Sequence, residues 1–266
     1  MSFDRVSFRY QQESDASPVL GEVSFSMHSG ELVGLYGRNG SGKSTLAMLC
    51  SGLLLPTSGR VNVGELDTAS RDPEIQRRVG VLFQNPDQQI VGVTVEEDLA
   101  FGLENLGVPR ETMKLRICEI SRKLGLEGYL ERSTADLSGG MRQKLALGAV
   151  MVMEPEFLLL DEPTSQLDPW ARQEFWEILE KMRSELGLGI LVVSPQTDDL
   201  SPLERALVIH QTRIVFDGSC PDLWSRPELS EWGIQVPEEV RLEKLLSKSN
   251  AAEYPLKKKG HYLILN

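Results

Sequence analysis

Gly37-Arg38-Asn39-Gly40-Ser41-Gly42-Lys43-Ser44-Thr45 decides the fold class of this chain, because it fits the pattern G-x-x-x-x-G-K-[ST]. Gly37, Gly40 and Gly42 let the backbone turn with several N–H groups pointing inward, so that donors converge on a phosphate. The helix that follows offers its positive N-terminus to the same anion. Lys43 is placed to bridge β- and γ-phosphates, Ser44 to bind Mg²⁺ through its hydroxyl, and Thr45 to hold the α-phosphate side. The flanks supply the context such a loop requires. Glu31–Tyr36 is a short apolar strand ending in glycine, and KSTLAMLCSGLL after it is helical, with Leu46, Leu49 and Leu53 on one face.

Leu158–Leu160 followed by Asp161 and Glu162 puts two carboxylates at the carboxyl end of a buried strand, where α/β sheets bind ligands. Asp161 suits an outer Mg²⁺ ligand acting through water, because Mg²⁺ keeps part of its hydration shell. Glu162 is suited to orient and deprotonate an attacking water. Gln84 follows another apolar strand, Val79–Phe83, and reads either as an amide reaching Mg²⁺ or the water, or as a turn residue. Tyr10, at a strand terminus, reads as an adenine-stacking ring or as edge packing. Ser138-Gly139-Gly140 opens a helix over Met141–Met153. Ser138 is an N-cap by itself, and the two glycines expose N–H groups to a second anion, which implies a head-to-tail dimer sharing two nucleotides.

The chain has 266 residues, enough for one large core with a small appendage. Its 28 basic and 39 acidic residues give a net charge of −11, which argues against nucleic acid as the main partner. Three scattered cysteines lack metal-ligand spacing and point to a reduced, cytosolic setting. No stretch approaches the roughly 20 apolar residues of a membrane span, so work at a membrane requires partner subunits. Val6, Phe8 and Tyr10, and then Val23, Phe25 and Met27, alternate as half-buried strands. Periodicity from about 94 to 153 is helical, including Thr112–Leu124. Phe157–Asp161 and Gly189–Val193 are continuous apolar strands of a parallel sheet covered on both faces. Ala206–His210 and Arg213–Asp217 form a final strand pair, Pro237–Ser247 a short helical extension, and 251–266 remains unassigned.

Together these motifs resemble an ABC transporter ATPase, an α/β P-loop NTPase with a helical subdomain. They comprise Walker A (37–45), the Q-loop glutamine Gln84, the signature LSGGM (137–141), Walker B (158–162) and the D-loop from Ser165 to Asp168. The resemblance spans about 2–218 as the ATPase domain, with 87–153 as its helical subdomain, and leaves 219–266 as a C-terminal extension and tail. FQNPDQQIVGVTVEEDLAFGLEN (83–105) is similar to the ATPases of energy-coupling factor importers, called EcfA or CbiO. That resemblance implies uptake of a vitamin or transition-metal ion from the cytoplasmic face of the cell membrane. Its implied partners are an EcfT-like transmembrane subunit, a substrate-binding membrane component and a second ATPase subunit. Carried over by residue, Tyr10 stacks on adenine, Lys43 and Ser44 hold phosphate and Mg²⁺, Gln84 senses the γ-phosphate and Glu162 is the base. Ser138 and Gly140 contact the partner's ATP, and the extension supports dimerisation. The groove around 85–105 receives the membrane subunit, where Glu96, Glu97 and Asp98 either attract its arginines or merely favour a helix N-terminus through the capping box Thr94-Val95-Glu96-Glu97.

Two positions depart from the family pattern. Pro195 stands where a γ-phosphate-contacting histidine is expected, and proline has neither a side-chain donor nor an N–H. Met141 replaces the usual signature glutamine. The chain's own Walker A site is therefore expected to bind ATP and hydrolyse it poorly, favouring a heterodimer with an ATPase that supplies the histidine. The other reading is a catalytically weak nucleotide-binding subunit that serves as structural partner. A soluble ABC protein of DNA repair or translation fits poorly, for want of a coiled coil, a second cassette or a basic patch.

Overall fold

The computed structural model describes residues 1–10, 18–194, 203–238, 240–242, 245, 256–259 and 262–265. Its centre is a six-stranded sheet. In chain order its members are β3 (Leu32–Tyr36), β6 (Val79–Leu82), β7 (Phe157–Asp161), β8 (Gly189–Val193), β9 (Arg205–His210) and β10 (Arg213–Ser219). The spatial order is β10-β9-β3-β8-β7-β6. All neighbours are parallel except β10, which returns antiparallel to β9. A second, antiparallel sheet runs β2-β1-β4-β5, from β1 (Ser2–Phe8), β2 (Leu20–Ser26), β4 (Ser58–Val63) and β5 (Leu66–Asp67).

The parallel strands are near-continuous apolar runs because both their faces are covered. On one face Val33, Leu35, Leu159 and Leu191 join Leu46 and Leu49 of α1 (Lys43–Cys50) and the inner residues of the antiparallel sheet. On the other face Leu158, Leu160, Ile190 and Val192 meet α3 (Val95–Asn105), α4 (Arg110–Lys123), α5 (Gly139–Met151) and α6 (Pro169–Leu186). Short α2 (Pro73–Arg78) leads into β6.

The expected strands β3, β7 and β8 fall where the apolar runs place them. The expected helix after the phosphate loop is shorter: it ends at Cys50, Gly52 turns left-handed at φ 73°, and Leu53 is 54% exposed rather than on the buried face. Between β7 and β8, where no element was expected, lies the 18-residue α6, capped by Asp168 and closed by left-handed Gly187. After β10 come α7 (Cys220–Trp224) and α8 (Leu229–Trp232), whose Leu223, Leu229 and Trp232 enter the same core as the helical layer. Of the expected extension 237–247, residues 238, 240–242 and 245 are helical, and the Arg241 N–H donates to the Pro237 carbonyl. In the tail, β11 (Leu256–Lys259) and β12 (Tyr262–Leu265) form an antiparallel pair.

Candidate functional site

The carboxyl ends of β3, β6 and β7 bring three chain segments together. After β3 the loop 37–42 turns back on itself. A Cβ on Gly37, whose φ is +150°, would lie 2.5 Å from the Ile209 carbonyl oxygen and 2.7 Å from Ser41 Oγ. Only glycine allows that approach. Arg38, Asn39 and Gly40 are exposed along the outside of the loop, and Gly42 is the left-handed N-cap of α1 with no side-chain cap. The first N–H groups of α1 are therefore not claimed by a capping side chain. Lys43 is buried, and its ammonium donates to the carbonyls of Gly37 at 2.9 Å and Arg38 at 3.1 Å. Burial lowers its pKa, while Glu162 and Asp161 nearby work to raise it.

Thr45 is buried one residue beyond exposed Ser44, and its hydroxyl lies 3.2 Å from that of Tyr10. Tyr10 is half exposed and sits edge-on to Phe8, with ring centroids 4.9 Å apart. Both readings of Tyr10 thus have a basis: one edge packs on Phe8, and the ring remains open beside the first turn of α1.

At the end of β7, Asp161 accepts a hydrogen bond from Ser44. Burial raises the Asp161 pKa above its ordinary value, against that bond and the Lys43 charge. Glu162 adopts φ +48°, a left-handed conformation uncommon outside glycine and frequent at sites that hold strain. Its N–H donates to the Val193 carbonyl at 2.8 Å, and its own carbonyl accepts from the Ser165 hydroxyl at 3.0 Å. The strained turn aims the carboxylate toward β6, where Glu162 Oε2 accepts from Gln84 Nε2 at 2.9 Å. Burial first and Asp161 second raise the Glu162 pKa, with Lys43 opposing. A carboxylate of raised basicity, oriented by an amide and next to a lysine-bearing phosphate loop, is equipped to take a proton from water.

The signature residues stand on separate elements. Ser138 caps α5 by accepting from the Met141 N–H at 3.3 Å, and Gly139 and Gly140 form the first turn. A Cβ on Gly140 would lie 3.3 Å from Ala171 Cβ, so α5 and α6 begin side by side. Asp168 caps α6 by accepting from the N–H groups of Trp170 and Ala171, at 2.9 and 3.0 Å. Trp170, next to it, is 83% exposed.

The sequence pattern described as ABC transporter matches residues 20–165, a stretch that holds the phosphate loop, the signature and both carboxylates. The energy-coupling factor transporter ATP-binding protein EcfA1 of Enterococcus faecalis is 41% identical over 246 residues, 91% of this chain and 88% of that protein. This chain belongs to the ATP-binding subunits of energy-coupling factor ABC transporters. The EcfA1 of Halalkalibacterium halodurans is 39% identical over 89% of the chain and 86% of its own length. Among solved structures, cbiO1 from Clostridium perfringens, described as part of the ABC transporter complex cbiONQ, superposes with a TM-score of 0.77 at 27% identity. That match covers 91% of this chain and 98% of the neighbour.

In this ABC ATPase the acidic run 96–98 is largely occupied by its own backbone. Glu97 Oε2 accepts from the N–H groups of Val93 and Thr94, completing the capping box. Asp98 is buried and accepts from Val91 and Gly92 at 2.7 and 2.9 Å. Of the two readings of these acids, the capping box is present at Glu97, Asp98 is buried on its own turn, and Glu96 makes no such bond among the described residues. Two further contacts near the site had no sequence signal. The Gln89 side chain donates to the Val81 carbonyl at 2.7 Å and accepts from the Phe83 N–H at 3.2 Å, fixing the end of β6 just before Gln84. Arg142 of α5 pairs with Asp87 at 3.1 Å, joining the signature helix to the segment after Gln84. Pro195 lies outside the described residues.

Proposed function

We propose that this ABC ATPase holds Mg²⁺-ATP on residues 37–45 and couples its hydrolysis to uptake of a vitamin or transition-metal ion. The reading is supported most by one run of contacts, in which Gln84 holds Glu162, Glu162 adjoins Asp161, and Asp161 accepts from Ser44 beside Lys43. Oxygen donors of this kind suit Mg²⁺. No group of three or more His, Cys, Asp or Glu side chains suited to a metal occurs among the described residues. That fits a cation whose shell is completed by substrate phosphates, with Ser44, Asp161 and Gln84 as the protein's contribution. When bound, Mg²⁺ supplies positive charge to the phosphate oxygens.

The chain's own groups do the rest. Lys43 exchanges its two carbonyl partners for β- and γ-phosphate oxygens, and Thr45 and the α1 N-terminus hold the adjoining phosphate. Tyr10 offers its open ring to adenine. Glu162 takes a proton from the attacking water while Gln84 positions both. Ser138, Gly139 and Gly140 complete the site of a partner ATPase, with Ser165 and Asp168 at the same face.

One feature favours the membrane role. Val91, Val93 and Phe101 are 58, 71 and 50% exposed, and Gly92 between the valines presses against the start of α3. We place the contact with an EcfT-like subunit and a substrate-binding membrane component on this face, with the ATPase peripheral at the cytoplasmic side. No helix among the described residues is long and apolar enough to cross a membrane. Residues 219–266 serve the ATPase dimer, for which exposed Leu242 and Leu245 are suited.

Pro195 favours a heterodimer, in which a second ATPase supplies the missing histidine. A catalytically weak structural subunit is the second reading, favoured by the same residue and opposed by Glu162. The test is equilibrium ATP binding together with steady-state turnover of the purified chain and of Pro195→His. Loss of one charge-assisted hydrogen bond corresponds to about ten- to a few-hundred-fold in rate, so Pro195→His should raise turnover by that order without tightening ATP binding comparably. Full transport by a complex containing only this wild-type ATPase would refute the heterodimer.

A further inference from the structure

Three consecutive residues at the entrance of the phosphate loop are touched by the C-terminal part of the chain. Tyr36, the last residue of β3, is fully buried and meets the Trp224 ring edge-on, with centroids 5.7 Å apart. Gly37 lies against the Ile209 carbonyl, and the next residue, His210, places Nε2 3.7 Å from the Glu231 carboxylate. Arg38 runs its aliphatic stem across Gly233. A Cβ on Gly233 would stand 2.5 Å from Arg38 Cγ and 2.9 Å from Nε. Trp224 ends α7, Glu231 lies in α8, and Gly233 closes α8 with a left-handed φ of +73°.

From this convergence we infer that α7 and α8 act as a positioning brace for the phosphate loop, setting how tightly this chain holds a nucleotide. The inference rests on the nucleotide-binding reading above. Its physical basis is the small number of ways the loop can be held. Residues 37–42 turn through glycines, whose backbone freedom is lost when the N–H groups converge on a phosphate. A loop already fixed at its entrance loses less on binding, so affinity depends on what fixes it. Strand β3 fixes one side of Tyr36. Its ring, however, is wedged by Trp224, and one side of the otherwise exposed Arg38 stem lies on the C-terminus of α8 at Gly233.

The brace has a second consequence. Tyr36 and Trp224 share one core with Phe216, Trp232 and Leu223. Trp232 also packs on Phe216 at 6.3 Å between centroids. A change in the loop when phosphate binds therefore reaches Trp224 through its direct contact with Tyr36, whereas Trp176 of α6 lies in the same core but packs on Phe175.

The full-length chain tests this in two ways. First, equilibrium binding of ATP and of ADP is measured for wild type, Trp224→Ala, Trp224→Phe and Arg38→Ala, with thermal unfolding alongside. Loss of one aromatic pair corresponds to about two- to tenfold weaker binding. Trp224→Ala and Arg38→Ala should each show a loss of that size for both nucleotides, and Trp224→Phe should recover most of it. Second, wild type labelled with 5-fluorotryptophan is titrated with ADP, the Trp224 resonance being assigned from Trp224→Phe. The Trp224 signal should move more than that of Trp176. Unchanged affinities in folded variants, or a Trp224 resonance that moves no more than Trp176, would overturn the inference. If Trp224→Ala does not fold, the fluorine titration of wild type decides by itself. A wild-type chain that bound neither nucleotide would sink the functional reading and this inference with it, whereas normal wild-type binding with unaltered variants sinks the inference alone.

Discussion

Asp98→Ala should destabilise the fold although it lies outside the nucleotide site. Asp98 is 2% exposed, and its Oδ1 accepts from Val91 N–H at 2.7 Å and Gly92 N–H at 2.9 Å. Alanine strips the acceptor from both. A buried N–H left unpaired costs about 1–3 kcal/mol; both of these are only part-buried, so the expected loss for the pair together is about 1–3 kcal/mol. Asp98→Asn keeps an oxygen acceptor for the same N–H pair and should lose less. Charge enters with the opposite sign. Burial, outweighing the two backbone bonds, raises the Asp98 pKa above its ordinary 3.8. A carboxyl raised on folding stabilises most when protonated, and that contribution is lost as pH rises through the folded pKa. The stability of wild type relative to Asp98→Asn should therefore fall as pH climbs from 3.8 through the raised value. Urea unfolding followed by circular dichroism, at several pH values, measures both effects. A loss below about 1 kcal/mol for Asp98→Ala, with unchanged m-value, would refute the claim that this carboxylate holds the 91–92 turn.

Glu162→Gln should lower steady-state hydrolysis by about 10²–10⁴-fold while ATP binding persists. It should also raise the melting temperature at pH 7, because it removes a carboxylate whose ionised form burial and Asp161 disfavour; a lower melting temperature would contradict that charge balance. The acid limb of the kcat profile should lie above the ordinary glutamate value, and a limb at or below it would exclude Glu162 as the titrating base. Tyr10→Phe should keep ATP affinity within about twofold, whereas Tyr10→Leu should weaken it by about tenfold if the ring stacks on adenine. Equal losses in the two variants, read by calorimetry, would assign Tyr10 to its contact with Thr45 instead.

What could be read from the chain followed the range of the signal. β3, β7 and β8 are apolar runs bounded by polar residues, and the glycine loop, the paired carboxylates and the Thr94 capping box are local patterns. Helical spacing after the loop continues to Leu53, but the helix ends at Cys50 and Gly52 turns left-handed, a break the apolar spacing does not show. α6 was legible in principle: Asp168-Pro169 is a helix start, and Phe175, Leu179 and Met182 are its buried stripe. β4 is held by pairing with β1, more than fifty residues away by sequence number, as in Phe3 with Val61. No local pattern carries such a partner. The same limit hid the Gln84–Glu162 bond and the meeting of Arg38 with Gly233, each a product of distant segments.

Strand β7 also acts as a ruler. Leu158 and Leu160 point into one core and Phe157 and Leu159 into the other. Leu160 is in register with Leu82 and Val192, and Asp161 with Val193. A slip of one residue would send every side chain to the opposite face and shift the following carboxylates by about 3.3 Å along the strand. An insertion or deletion within 157–161 therefore cannot be absorbed as a small displacement of the chemistry. It would scramble two cores at once, so errors in the spacing of Asp161 and Glu162 are removed as failures to fold before they can persist as misaligned enzymes.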